Sequence, residues 1–289
     1  MAKCEDRIEE AISDMELGGR TTGSGAPPPS SQNDRPYATA GAAVFSPTSA
    51  VTIIQKMIAE AVGVYFIIFA GCGSVVVNKL YDGKVTFPGT CLTWGLIVMV
   101  MIYTLGHVSG GHFNCAVTLT NAVFRRFSWK LVPLYIIAQL AGSILGSGTL
   151  ALMFEVTPEA YFGTLPAGSN WQSFAIEIVI SFLLMFVISG TSTDDRATTT
   201  VGPLGGVVTG MTIALNVFVA GPVSGASMNP ARSIGPAVVK RTYRGLWVYI
   251  FGPVIGTIAG AFVYNVLKVT QNPIDNSSKS RSFFKQLST

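Results

Sequence analysis

Apolar residues gather along this chain into long runs. A helix that crosses the hydrocarbon core of a bilayer needs about 20 mostly apolar residues, and positions 57–77 supply them with Glu60 as the only charge. Similar runs occupy about 90–105, 131–154, 173–192, 201–220 and 246–267. The pattern predicts an all-α membrane protein with six spans, an even number that puts both termini on one side. The acidic start (Glu5, Asp6, Glu9, Glu10) and the first long run beginning only after position 50 predict that no secretory signal is cleaved and that the first span directs its own insertion.

Polar segments flank this membrane domain, which we place at 51–269. Positions 5–17 carry Ile8, Ala11, Ile12 and Met15 at helical spacing, a short amphipathic helix by pattern. Positions 18–31 read GGRTTGSGAPPPSS and cannot bury enough apolar surface to offset the entropy of ordering. Residues 1–50 and 270–289 are therefore expected to be flexible tails. The tails and the segments on their side hold Arg35, Arg125, Arg126, Lys130, Arg196, Lys268, Lys279, Arg281 and Lys285, while the opposite side holds fewer basic residues, among them Lys79, Lys84 and Lys240. Excess Lys and Arg mark the cytoplasmic side, so both termini are expected in the cytosol. There the Asn276 acceptor pattern would stay unglycosylated.

Composition narrows the classes further. Only 12% of residues are charged, against about 25% in ordinary soluble domains, which speaks against a water-soluble enzyme. With 2 His and 4 Cys, none of them in a close-spaced pair, neither a zinc site nor a disulfide framework is expected. No cofactor and no nucleic-acid partner are expected either.

The membrane domain repeats itself. GHVSGGHFNCA, starting at Gly106, aligns with GPVSGASMNPA, starting at Gly221, at a constant offset of 115, and EAVGVYFIIF from Glu60 parallels EIVISFLLMF from Glu177. Each half, about 52–154 and 171–268, thus holds three spans, with the G-x-V-S-G segment between the second and third. Because three is odd, the halves enter the membrane with opposite polarity, an inverted repeat. Asn is a good helix N-cap and Pro a favoured first helical residue. Asn229 followed by Pro230 therefore opens a helix too short to span, over 229–239, and Asn114 opens another to about Phe124. The segments SGGHF and SGASM leave irregular backbone at membrane depth, tolerated only where it is buried in protein or lines a watery cavity. Two half-helices would meet N-terminus to N-terminus at the midplane.

These features, the six spans, the Glu-led repeats, the SGxxxN segments and N-P-A-R, resemble the aquaporin (major intrinsic protein) family, and within it the first subgroup of the plant nodulin-26-like intrinsic proteins. The resemblance covers about 50–268. It implies a channel for water and small uncharged solutes, in a homotetramer with one pore per protomer. The two motifs, Asn114-Cys115-Ala116 and Asn229-Pro230-Ala231, would bind the permeant through paired Asn amides, with both helix N-termini opposing cations. Family spacing puts the narrowest ring at Trp94, Val217, Ala226 and Arg232. In strict water channels a His stands where Val217 does, so this ring is wider and suits glycerol-like polyols, ammonia, lactic acid or neutral metalloid hydroxides. The resemblance also implies plasma-membrane or endoplasmic-reticulum residence, and phosphorylation by a calcium-dependent kinase at Ser282 and Ser288, each three residues after a Lys.

Physical reasoning assigns the remaining polar residues. Glu60 and Glu177 are expected to anchor the dipping loops by accepting their amides, because an unsatisfied group in hydrocarbon costs several kcal/mol. Asn216 is read as an internal partner, and His107 and His112 as packing groups near the pore mouth. Glycines spaced by four, Gly142 and Gly146 and then Gly252, Gly256 and Gly260, predict close helix crossings. Cys115 departs from the family motif: it loses the Pro ring at the first helical position and is expected beside the lumen, opposite Pro230. An ion-coupled transporter shares the inverted repeat but needs acidic groups free to bind an ion. An intramembrane hydrolase built on Ser109, Ser224 or Ser227 lacks an orienting acid, so no catalytic activity is expected.

Overall fold

The computed structural model describes residues 47–194, 197 and 201–269. The expectations for both tails, including the 5–17 helix, Asn276, Ser282 and Ser288, lie outside the described residues, as does Arg196. Within them the chain is helical, with no strand: α1 Pro47–Leu80, α2 Thr86–Ser109, α3 Cys115–Val123, α4 Val132–Met153, α5 Asn170–Ser192, α6 Gly205–Ser224, α7 Pro230–Lys240 and α8 Val248–Val269. Six of these, α1, α2, α4, α5, α6 and α8, are long and apolar enough to cross a bilayer. Helices α3 and α7 have 9 and 11 residues; at about 1.5 Å per residue each reaches roughly half of a 30 Å hydrocarbon core. Helix α1 starts ten residues before the run that predicted it, because Val51 and Ile54 extend its exposed apolar face.

Packing follows a two-fold plan. Helix α1 lies against α2 and α4, and α5 against α6 and α8; α2 and α6 join the halves, while each half-helix packs on the last span of the other half, α3 on α8 and α7 on α4. The spaced glycines sit at the crossings. A Cβ at Gly142 would strike the Ala61 carbonyl, one at Gly256 the Ile178 carbonyl, and Gly95 and Gly210 abut each other's carbonyls between α2 and α6. The absence of side chains there lets the backbones approach closely.

Local chemistry sets the bends. Helix α2 stops at Gly110 (φ 93°), whose N–H returns to the Gly106 carbonyl, and α6 stops in the same way at Gly225 (φ 81°), bonded to Gly221. These are left-handed caps, for which glycine carries no steric cost. The next residues repeat the conformation across the halves: Gly111 (61°) matches Ala226 (47°), and Phe113 (48°) matches Met228 (53°). The offset of 115 in the sequence is therefore also a repeat of backbone geometry.

Candidate functional site

The site is built where the two loops, 110–114 and 225–229, meet. Each is tied down by one buried carboxylate. Glu60 Oε1 accepts from the Ser109 hydroxyl (2.7 Å) and the His112 amide (3.0 Å), and Oε2 accepts from the Phe113 amide (2.7 Å) and Gln139 Nε2 (2.8 Å). Glu177 Oε1 accepts from the Ser224 hydroxyl (2.7 Å) and the Ser227 amide (2.8 Å), and Oε2 from the Met228 amide (2.9 Å). Every partner is a donor, the environment of an acceptor-only group. Tyrosines complete both anchors: Tyr135 Oη donates to the Ser109 carbonyl (2.6 Å) and Tyr249 Oη to that of Ser224 (2.8 Å).

Asn114 and Asn229 then lock the halves to each other. Asn114 Oδ1 accepts from Ala116 N (2.8 Å) and Asn229 Oδ1 from Ala231 N (3.0 Å), capping α3 and α7. Their amide nitrogens cross over, Asn114 Nδ2 to the Met228 carbonyl and Asn229 Nδ2 to the Phe113 carbonyl, both at 2.8 Å. An amide NH₂ carries two donors, so each has a second hydrogen beyond these bonds, and both Asn residues line the larger of two cavities. The half-helix N-termini converge here with their positive dipole ends.

The larger cavity, about 670 Å³, is lined by this pair and also by Tyr103, His107, Arg126 and Thr193. The smaller, about 460 Å³, lies beyond the pair and is walled by the 155–169 segment through Pro158, Tyr161, Phe162 and Leu165. Three residues border both cavities: Trp94, Val217 and Arg232. The two cavities adjoin at these residues. The Arg232 guanidinium lies 4.7 Å from the Trp94 ring centroid, and its Nη2 donates to the Gly225 carbonyl (3.2 Å). Its Nε and Nη1 are buried without partners. Ala226 borders the larger cavity only. Gly71 makes room for the indole, since a Cβ there would strike Trp94.

Other residues fall less simply. His107 and His112 both border the larger cavity; His112 Nδ1 is 3.1 Å from Thr118 Oγ1 and its ring packs on Phe127 and Tyr135. Asn216 Nδ2 donates to the Ile180 carbonyl (2.9 Å) and contacts Met228 Sδ. Cys115 does not stand beside the lumen: it is buried and borders neither cavity. Asn114, the cap residue before it, borders the larger cavity instead. The 155–169 segment was not singled out from the sequence. Lys79 Nζ holds it through the Glu159 (2.8 Å) and Tyr161 (3.2 Å) carbonyls, Lys240 Nζ through Val156 (2.9 Å), and Thr164 Oγ1 through Ser233 (2.7 Å).

Residues 47–264 match the family described as major intrinsic protein. A Nicotiana alata protein named probable aquaporin NIP-type is 62% identical, covering 98% of both chains. Arabidopsis thaliana probable aquaporin NIP4-2 is 63% identical over 85% of this chain and 86% of its own, and nodulin-26 of Glycine max is 53% identical over 81% and 86%. Among solved structures, the aquaglyceroporin of Plasmodium falciparum shares the fold, with a TM-score of 0.69 at 22% identity over 77% of this chain and 99% of that one.

Proposed function

The chain belongs to the major intrinsic protein family, a membrane channel for water and small solutes of NIP type, and on that premise we propose how its passage selects. The carrying observation is that two cavities share Trp94, Val217 and Arg232 in their walls, which supports reading these residues as the narrowest point of the passage. One wall is apolar and the other presents unpartnered Arg232 donors. A carbon backbone slides along Trp94 and Val217 while Arg232 and the Asn114/Asn229 amides replace the hydration of its hydroxyls. The ring accordingly passes glycerol-like polyols, with ammonia, lactic acid and neutral metalloid hydroxides of fitting size. Cations and protons are opposed by Arg232 and by the two helix N-termini.

Glu60 and Glu177 serve as loop anchors, and their full sets of donors argue against ion coupling by these groups. The protein works as a homotetramer in the plasma membrane or endoplasmic reticulum, with both termini cytosolic. Calcium-dependent kinases act on Ser282 and Ser288, where about −1.5 to −2 of added charge releases a basic tail from anionic lipid. Stopped-flow measurement of water, glycerol, ammonia and lactic acid entry into proteoliposomes tests the reading. Solute flux independent of sodium and a proton conductance far below water flux are expected; proton currents comparable with water flux overturn it.

A further inference from the structure

The segment that walls the smaller cavity carries an unused polar group. Tyr161 is 8% exposed, borders that cavity together with Arg232, and its hydroxyl is buried without a hydrogen-bond partner. It lies within electrostatic reach of Arg232 and of Cys72. Its placement is enforced: Lys79 Nζ grips the Tyr161 carbonyl, the Tyr161 amide bonds to the Pro158 carbonyl (3.3 Å), and a Cβ at Gly163 would strike the hydroxyl. A buried polar atom left unpaired is costly, so this hydroxyl is held for a transient partner. Arg232 offers only donors, whereas a solute hydroxyl needs both a donor and an acceptor. A phenol supplies the missing acceptor and can also donate. Burial, partly offset by the Arg232 charge, pushes the phenol up to about 12, so it keeps its proton at physiological pH.

We infer that Tyr161 is a further specificity-determining residue, whose hydroxyl pairs with the hydroxyls of polyols as they meet Arg232 at the constriction. Lys79 is its positioning residue. The inference rests on the channel reading above. Tyr161→Phe removes one oxygen and keeps the ring, so glycerol flux in proteoliposomes should fall about three- to tenfold, the effect of one hydrogen bond of ordinary strength, while water flux stays within about twofold. Lys79→Met should lower the glycerol-to-water ratio in the same direction, and Lys79→Arg should restore it. An unchanged ratio in Tyr161→Phe, or an equal loss of both fluxes, overturns the inference alone. A wild type that passes water but no glycerol overturns both it and the polyol reading.

Discussion

Replacing either buried carboxylate by its amide tests the loop anchors most directly. In both halves one fixed backbone N–H is aimed at each oxygen: His112 and Phe113 at Glu60, Ser227 and Met228 at Glu177. Glu60→Gln and Glu177→Gln keep the shape, yet whichever way the amide is turned, its NH₂ faces a backbone donor that cannot rotate away. The Ser109 and Ser224 hydroxyls can turn and accept, so they soften the loss but do not remove it. One hydrogen bond to a charged group, about 1.5–3 kcal/mol, is therefore lost in each variant, a tenfold or larger shift in the unfolding equilibrium at about 1.4 kcal/mol per decade. Ser109→Ala and Ser224→Ala remove a movable donor together with the acceptor of the Gly111 and Ala226 amides (3.1 Å each), but leave both carboxylate oxygens with their backbone donors. Because the Asn pair hangs on the anchored loops through the Phe113 and Met228 carbonyls, water flux should fall with stability. The assay is equilibrium unfolding in detergent, paired with water permeability of proteoliposomes. Two results refute the reasoning: Glu→Gln variants as stable and permeable as wild type, or a large loss confined to one half.

Further expectations bear on the ring, the odd motif and the helix crossings. Val217→His with Ala226→Cys adds volume and polarity to the constriction, so water flux should persist while glycerol flux drops; equal loss of both in liposomes would place the constriction elsewhere. Cys115→Pro should stabilise the protein by about 0.4–1 kcal/mol, since α7 already carries Pro230 at the matching capped position; a destabilised variant in thermal unfolding would show that α3 starts differently. Cys72, Cys91 and Cys115 border neither cavity, so mercurial treatment should leave water flux unchanged, and block abolished by Cys115→Pro would contradict the observed orientation. Gly256→Ala meets the Ile178 carbonyl and should destabilise, whereas Gly148→Ala meets nothing within 4 Å and should be tolerated; equal stability of the two in detergent would refute the close-crossing account.

Much of this architecture was legible in one dimension because its causes are local. Span length is a property of consecutive apolar residues, and a half-helix beginning is a property of Asn followed by Pro230, or of Asn114 followed by a short apolar stretch. The inverted repeat was readable because the same local instructions occur twice: the glycine caps at Gly110 and Gly225, the Ser109 and Ser224 hydroxyls, and the acids at Glu60 and Glu177. What the chain could not disclose by itself is where a side chain ends up when its neighbours come from distant elements. Cys115 looked lumenal from its place in the motif, but once the two halves have packed it is buried and borders neither cavity. The 155–169 segment carries no periodicity and no motif that would mark it. Only the grips of Lys79, Lys240 and Ser233, drawn from α1 and α7, fold it over the smaller cavity and set Tyr161 near Arg232. Local rules write helices, caps and repeats into the sequence, whereas the meeting point of the two cavities exists only once α2, α6 and α7 have brought Trp94, Val217 and Arg232 together.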